Sequence, residues 1–233
     1  MAGILEFIKG NKLTLVEKIH EGGDIYSFVF KPERLVEWKA GQHMLINVKH
    51  ENADKKGSNR MFSVAEAPYA GTIRISTHIG NENATSYKRA LQNLEIGSEV
   101  VGRGPVGPMT VQNAEDRHVF IAGGIGITPF RSILRDLDHA GKKINATLLY
   151  SNRDENFLYK QELDAIASRH PELLVKYIVA PERITAETIK AAVSEITKPV
   201  FMISGPRGMV SDMKKVLKSL GAKKIKSDPF FGY

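Results

Sequence analysis

Between Phe120 and Phe130 the chain reads Phe-Ile-Ala-Gly-Gly-Ile-Gly-Ile-Thr-Pro-Phe, and no other stretch constrains the fold as tightly. The short apolar run from His118 to Ala122 predicts a buried strand, and Gly123, Gly124 and Gly126 follow at once. Residues without a Cβ allow a backbone to take positive φ and to approach another group closely. Thr128 is placed to cap a helix and Pro129 to sit in its first turn, where a missing N–H costs nothing. The helix should run to about His139. Such a joint aims free N–H groups and the positive end of a helix dipole at one point, which suits a phosphate. The same glycines could simply close a strand–helix turn, and the spacing is not the G-x-G-x-x-G of the usual dinucleotide fingerprint.

Composition narrows the classes. The 233 residues are 42% apolar and 25% charged, as in ordinary soluble domains, and suffice for one large domain or two modest ones. There is no cysteine, which excludes disulfides and thiolate-held zinc or iron–sulfur centres from this chain. The seven histidines show no H-x-x-x-H spacing, so no metal site is expected. No signal peptide is expected at the start, and no apolar run is long enough to span a bilayer, so a soluble cytoplasmic protein is the expectation. Of the net charge of +7, residues 116–233 carry most, with 19 Lys/Arg against 13 Asp/Glu. Six lysines fall between Lys214 and Lys226. They could meet an acidic protein or a cofactor phosphate, or form a solvated helix face. They lack interleaved aromatics, so no nucleic-acid partner is expected.

The two halves differ in rhythm. Strands are predicted at 12–20, 24–31, 43–49, 61–65, 72–79 and 99–102, with one helix between Asn83 and Leu94. Alternation such as Thr72-Ile73-Arg74-Ile75-Ser76 suits a half-buried antiparallel sheet. Gly104-Pro105-Val106-Gly107-Pro108 should break regular structure. Beyond it, strands at 117–122, 146–151, 173–179, 199–204 and 223–226 alternate with helices at 129–139, 157–168, 186–195 and 208–220. That order predicts a parallel sheet covered on both faces, with ligands beyond the carboxyl ends of its strands. The expected architecture is an antiparallel six-stranded β-barrel over 1–112 and an α/β parallel-sheet domain over 113–233.

Five motifs then fall in one order. Arg60-Met61-Phe62-Ser63 is followed by Ser86-Tyr87-Lys88-Arg89-Ala90-Leu91 with Gly97-Ser98-Glu99-Val100. After them come the glycine turn ending in Thr128-Pro129, Ser204-Gly205-Pro206-Arg207-Gly208-Met209 and Asp228-Pro229-Phe230-Phe231-Gly232-Tyr233. With them the chain resembles the ferredoxin–NADP reductase superfamily of flavoproteins along nearly its whole length. The resemblance implies FAD in the first domain and NADPH or NADH in the second. It assigns Arg60 to the flavin diphosphate, Phe62 to the ring face and Ser63 to the reactive ring nitrogen, with Met61 beside them. Thr77, His78 and Ile79 should lie along the flavin, and Thr85 and Ser86 at its phosphate. Gly123, Gly124, Gly126, Thr128 and Pro129 should receive the dinucleotide. Ser204, Gly205, Pro206 and Met209 should meet the nicotinamide, and Ser151 and Arg153 the ribose end, where a 2′-phosphate would favour NADPH. Phe230 and Tyr233 should cover the flavin until nicotinamide displaces them. Ser63, Thr128, Ser204 and Tyr233 are the expected catalytic set.

The implied reaction is hydride transfer from NAD(P)H to FAD and electron release to an acceptor: ferredoxin, flavodoxin, an oxygenase component or a small molecule such as free flavin. A non-catalytic redox-sensing module is the alternative of another class. The oligomeric state stays open.

Overall fold

Period-two alternation builds the first half. Its strands are β1 (Asn11–Gly22), β2 (Ile25–Pro32), β3 (His43–Asn47), β4 (Asn59–Ser63), β5 (Ile73–His78) and β6 (Glu99–Val106). The structure, a computed structural model, describes residues 10–80 and 84–230, and it divides into units at 1–108 and 109–232. In the first unit the strand order is β4-β3-β6-β1-β2-β5, and every neighbouring pair is antiparallel. Ala65 N–H donates to the Arg74 carbonyl at 2.8 Å, so the chain just past β4 reaches β5 and the sheet curls toward closure. The expected antiparallel barrel is thus present as a curled six-stranded sheet.

Leu13, Leu15, Phe28, Phe30, Met44 and Ile46 fill its inside with no exposed surface. Burying each contributes roughly 2–3 kcal/mol. Helix α1 (Ser86–Asn93) adds Tyr87 and Leu91 to the same core, and the Tyr87 hydroxyl donates to the Ile46 carbonyl at 3.2 Å. The helix starts three residues later than expected because Thr85 takes extended φ/ψ and its hydroxyl accepts from Lys88 N–H. Asn83 lies outside the described residues.

The Gly-Pro-Val-Gly-Pro stretch does not end regular structure at Gly102, as expected, since β6 continues to Val106. Its pairing with β1 stops at Asn11↔Gly102. Beyond that point, among the described residues, β6 pairs with β3, across a register shift between His43 and Leu45. Pro105 falls within that irregular stretch of the ladder, where a proline is tolerated.

In the second unit β7 (His118–Gly123), β8 (Ala146–Asn152), β9 (Leu173–Val179), β10 (Val200–Pro206) and β11 (Lys224–Phe230) form one parallel sheet in the order β11-β10-β7-β8-β9. Every residue of β7 is buried, as expected for a central strand covered on both faces. The helices are α2 (Thr128–His139), α3 (Lys160–Arg169), α4 (Ala186–Ala192) and α5 (Arg207–Ser219). On α4 and just beyond it, Ile189 and Val193 sink into the core that Phe201, Val210 and Leu217 share. Helix α3 begins at Lys160 rather than 157 because Tyr159 adopts left-handed φ of 64°. None of the helices among the described residues is long and apolar enough to cross a membrane.

Several ion pairs fasten α2 to α3, and the one at Arg131 is the most buried. Arg131, 3% exposed, gives Glu162 two bonds, 2.6 and 3.3 Å long, and stands 4.4 Å over the Tyr159 ring. Arg135 reaches the same carboxylate at 3.0 Å. Removing the carboxylate takes this counter-charge away from a buried guanidinium. Glu162→Ala should therefore lower stability by roughly 2–3 kcal/mol, read as a drop in the thermal midpoint.

Candidate functional site

The chain reverses its direction of travel across the second sheet between β7 and β10. From β7 it moves outward to β8 and β9, then returns to lay β10 and β11 on the other side. Such a switch point leaves a crevice at the carboxyl ends of the two strands, because their connections leave in opposite directions. Two of the expected motifs meet there. Ala122 is in register with Ser204 on one side, and Gly123 with Ser151 on the other.

The glycines act first on the protein's own backbone. A Cβ on Gly126 would stand 2.1 Å from the Ser204 carbonyl oxygen, and one on Gly123 would stand 2.2 Å from Met209 Sδ. Gly124 takes φ of 53° and opens a 3-10 turn over Gly124–Ile127 that runs straight into α2. Thr128 consequently does not cap α2, as its position suggested. Its hydroxyl donates backwards to the Ile125 carbonyl at 2.9 Å, and helical conformation already holds at Ile127. The helical run begins at the glycines themselves, so the unpaired N–H groups of its first turn belong to the loop. Thr128 and Pro129 are both buried.

Ser204 is fully buried, and its hydroxyl has no hydrogen-bond partner among the described residues. Gly205 is buried and Pro206 exposed beside it, with Met209 half-buried on α5. At the end of β8, Ser151 donates to the Ala122 carbonyl at 3.3 Å, while Arg153 is exposed. The neighbouring Asn152 amide and Asp154 carboxylate tie up their own loop. Phe230 closes β11 in register with Pro206. Tyr233 lies outside the described residues.

The second constellation is in the first unit, at the edge strand β4. Arg60 is 3% exposed. Its Nη1 donates to the carbonyls of Lys56, Gly57 and Asn59 at 2.8–2.9 Å, and Nη2 lies 3.4 Å from Asp54 Oδ1. The guanidinium stands 4.9 Å over the Tyr87 ring, which leans on Phe62 at 6.0 Å. Met61 points outward, Phe62 packs on the core and Ser63 is buried. Ser86, the first residue of α1, accepts from Asp54 N–H at 3.0 Å. Burial pushes the Tyr87 phenol up. Desolvation works against ionisation of Asp54, yet the Lys56 N–H, Ser86 and Arg60 together hold its carboxyl below the usual range. Along β5, Thr77 is nearly buried and His78 is exposed, paired with Asp24 at 2.7 Å. Ile79 is in the core and its N–H donates to the Asp24 carbonyl.

Residues 120–215 match the family of oxidoreductase NAD-binding domains. The chain is 33% identical over 200 residues to NADH-cytochrome b5 reductase 1 of Kluyveromyces lactis, a match covering 80% of this chain and 70% of that protein. The chain belongs to the ferredoxin–NADP reductase superfamily. Two solved structures share its fold. The FAD/NAD binding domain of nitric oxide dioxygenase from Vibrio cholerae aligns with a TM-score of 0.83 at 23% identity, covering 95% of this chain and 98% of that one. Ferredoxin-NADP+ reductase from Plasmodium falciparum aligns with a TM-score of 0.78 at 19% identity, covering 96% and 97%. As a superfamily member the chain is an oxidoreductase that uses FAD and NAD(P)H.

The residues present fit both groups. An orphaned buried hydroxyl at Ser204 suits a polar carboxamide, since a buried polar atom without a partner costs about 1–3 kcal/mol. A buried guanidinium beside a helix N-terminus suits a diphosphate. Three residues around Arg60 and Ser86 escaped the sequence reading: His50, Asp54 and Tyr87. Tyr87 sits inside a recognised motif, but nothing in the order of residues ties His50 or Asp54 to α1. Gly126→Ala should push the Ser204–Gly205 backbone aside, cost about 1–3 kcal/mol by overpacking and weaken NAD(P)H binding, checked by thermal unfolding and nucleotide titration.

Proposed function

We propose that this chain is an NAD(P)H-driven flavin reductase whose electrons go to an acidic carrier protein of the ferredoxin or flavodoxin kind. Charge carries the choice of acceptor. Lys214, Lys215 and Lys218 on α5 are exposed, as are Lys223 and Lys224, and the whole chain carries +7. A concentrated positive surface speeds encounter with a negative partner and fixes its orientation. The superfamily itself leaves the acceptor open, since the proteins named above include an NADH-cytochrome b5 reductase and a ferredoxin-NADP+ reductase.

When bound, FAD accepts a hydride from the reduced nicotinamide and releases electrons to the acceptor. The chain's own residues bind and orient. Arg60, Thr85 and Ser86 hold the flavin diphosphate through charge-assisted bonds. Phe62 offers a flat apolar face and Ser63 a hydroxyl, with Met61, Thr77, His78 and Ile79 along the same rim. The N–H groups of Gly123, Gly124 and Gly126 receive the dinucleotide diphosphate, while Thr128 and Pro129 fix the start of α2 beneath it. Ser204, Gly205, Pro206 and Met209 orient the carboxamide end. Phe230 and Tyr233 exclude water from the flavin when nicotinamide is away. Orientation of two rings is the main lever on rate, because it converts an encounter into a positioned transfer. At the ribose end the Ser151 hydroxyl already serves the Ala122 carbonyl. Preference for NADPH therefore rests on Arg153.

The purified protein should show a flavin absorption spectrum that bleaches anaerobically with NADPH faster than with NADH. Arg153→Ala should narrow that gap by about tenfold without slowing NADH, as loss of one charge-assisted contact predicts. A folded, colourless protein that takes up no FAD overturns the assignment.

Reduction of an acidic carrier should slow by more than about tenfold between low and 0.5 M salt, because the lysine surface is screened. Rates independent of salt, or faster turnover with free flavin or an oxygenase component, would remove the carrier from the reading.

A further inference from the structure

Ser86 Oγ is held from two sides. Asp54 N–H donates to it at 3.0 Å, and His50 Nε2 lies 3.0 Å away. The other ring nitrogen, His50 Nδ1, lies 2.8 Å from the Val48 carbonyl oxygen. A carbonyl can only accept, so Nδ1 carries a hydrogen whatever the charge on the ring. The state of Nε2 therefore decides what Ser86 can do.

In the neutral ring Nε2 has only a lone pair. The Ser86 hydrogen must point at it, and Oγ turns nothing but a lone pair toward any other group. In the imidazolium Nε2–H donates instead. Oγ then accepts twice, from His50 and from Asp54 N–H, and its own hydrogen is released to face outward. A phosphate oxygen has no hydrogen to give at neutral pH, so it can be bonded by Ser86 only in the second state.

We propose that His50 is a positioning residue for the flavin phosphate: FAD binding draws a proton onto its ring and so turns the Ser86 hydroxyl into a donor. This rests on the reading of Ser86 as a phosphate contact. The charges around His50 fit such a linkage. Arg60 stands over the Tyr87 ring, and His50 meets that ring edge-on at 6.4 Å. Lys56 and Lys88 influence each other, and the first N–H groups of α1 add positive potential. Together they make the surroundings of His50 positive before a ligand arrives. Asp54 is the nearby carboxylate, and it is engaged with Arg60 and the Lys56 N–H. Lys49 and Glu51 flank His50 in the chain, are exposed and carry opposite signs. The Tyr87 phenol is held neutral by burial. A diphosphate arriving at Ser86 and Arg60 reverses the local balance and favours the imidazolium.

The sign of the linkage follows. A group protonated more fully in the complex than in the free protein makes binding tighter as pH falls, by at most about tenfold per pH unit for one proton. FAD is the probe because its diphosphate does not titrate near neutrality. Its dissociation constant, measured from released flavin fluorescence, should rise by about tenfold between pH 6 and 8.5. In His50→Gln an amide replaces the titrating ring, so the change over that range should shrink to less than about twofold. Ser86→Ala should bind FAD more weakly and equally flatly. Calorimetry in two buffers of different ionisation enthalpy should show a proton taken up by the wild type and none by His50→Gln.

A pH dependence retained in His50→Gln, or absent from the wild type, overturns the proposal. If His50→Gln does not fold, the wild-type profile and Ser86→Ala decide. Ser86→Ala with wild-type affinity at every pH would instead refute the phosphate role of Ser86 itself. Weaker binding in that variant with the full pH dependence kept would refute only the part given to His50.

Discussion

The backbone contact between the turn after β7 and the end of β10 governs the second unit. Gly126 comes so near Ser204 and Gly205 that the smallest side chain would collide with main-chain atoms, which cannot swing away. Two strand ends are thereby clamped side by side at the one place where the sheet's connections part. The clamp also sets the chemistry of Ser204. Its hydroxyl is sealed from solvent and has no partner among the described residues, an arrangement that costs stability unless a ligand atom completes it. The glycines thus serve packing directly, which is the turn-closing reading of the sequence, and the proposed dinucleotide contact would use the same turn.

The first unit solves a different problem, which is keeping a full positive charge inside a small barrel. Three carbonyls, a carboxylate and an aromatic face surround Arg60. A bare buried guanidinium would be prohibitively costly. The cage fixes the buried guanidinium chiefly through backbone carbonyls of its own loop and strand. Precision of this kind is what an anion site requires, because a mobile cation spends entropy on every bond it makes.

The legible part of the chain was the part governed by period. Alternation and turn signals located the six strands of the barrel, and Leu173–Val179 was bounded to the residue, because side chains along a strand point to opposite faces in turn. Caps and joints were less legible. Thr128 has the right chemistry for a cap, yet a 3-10 turn reaches it first. Tyr159 halts the start of α3 with a backbone conformation that an aromatic residue seldom adopts. Pro105 suggested an end to β6, yet the strand continues to Val106 because the proline falls in the register shift against β3. At the candidate site, the motif residues Arg60, Ser86, Gly126 and Ser204 were visible from their order. His50 and Asp54 were not, since they belong to the loop after β3 and touch α1 only through folding.

The last described strand has one more implication. Because β11 hydrogen-bonds along its length to β10, with Phe230 level with Pro206, the aromatic at its end is indexed by a ladder and not left to a loose tail. A single residue gained or lost inside β11 would turn every following side chain to the opposite face. The face on which the Phe230 ring lies is therefore dictated by counting residues back to Lys224.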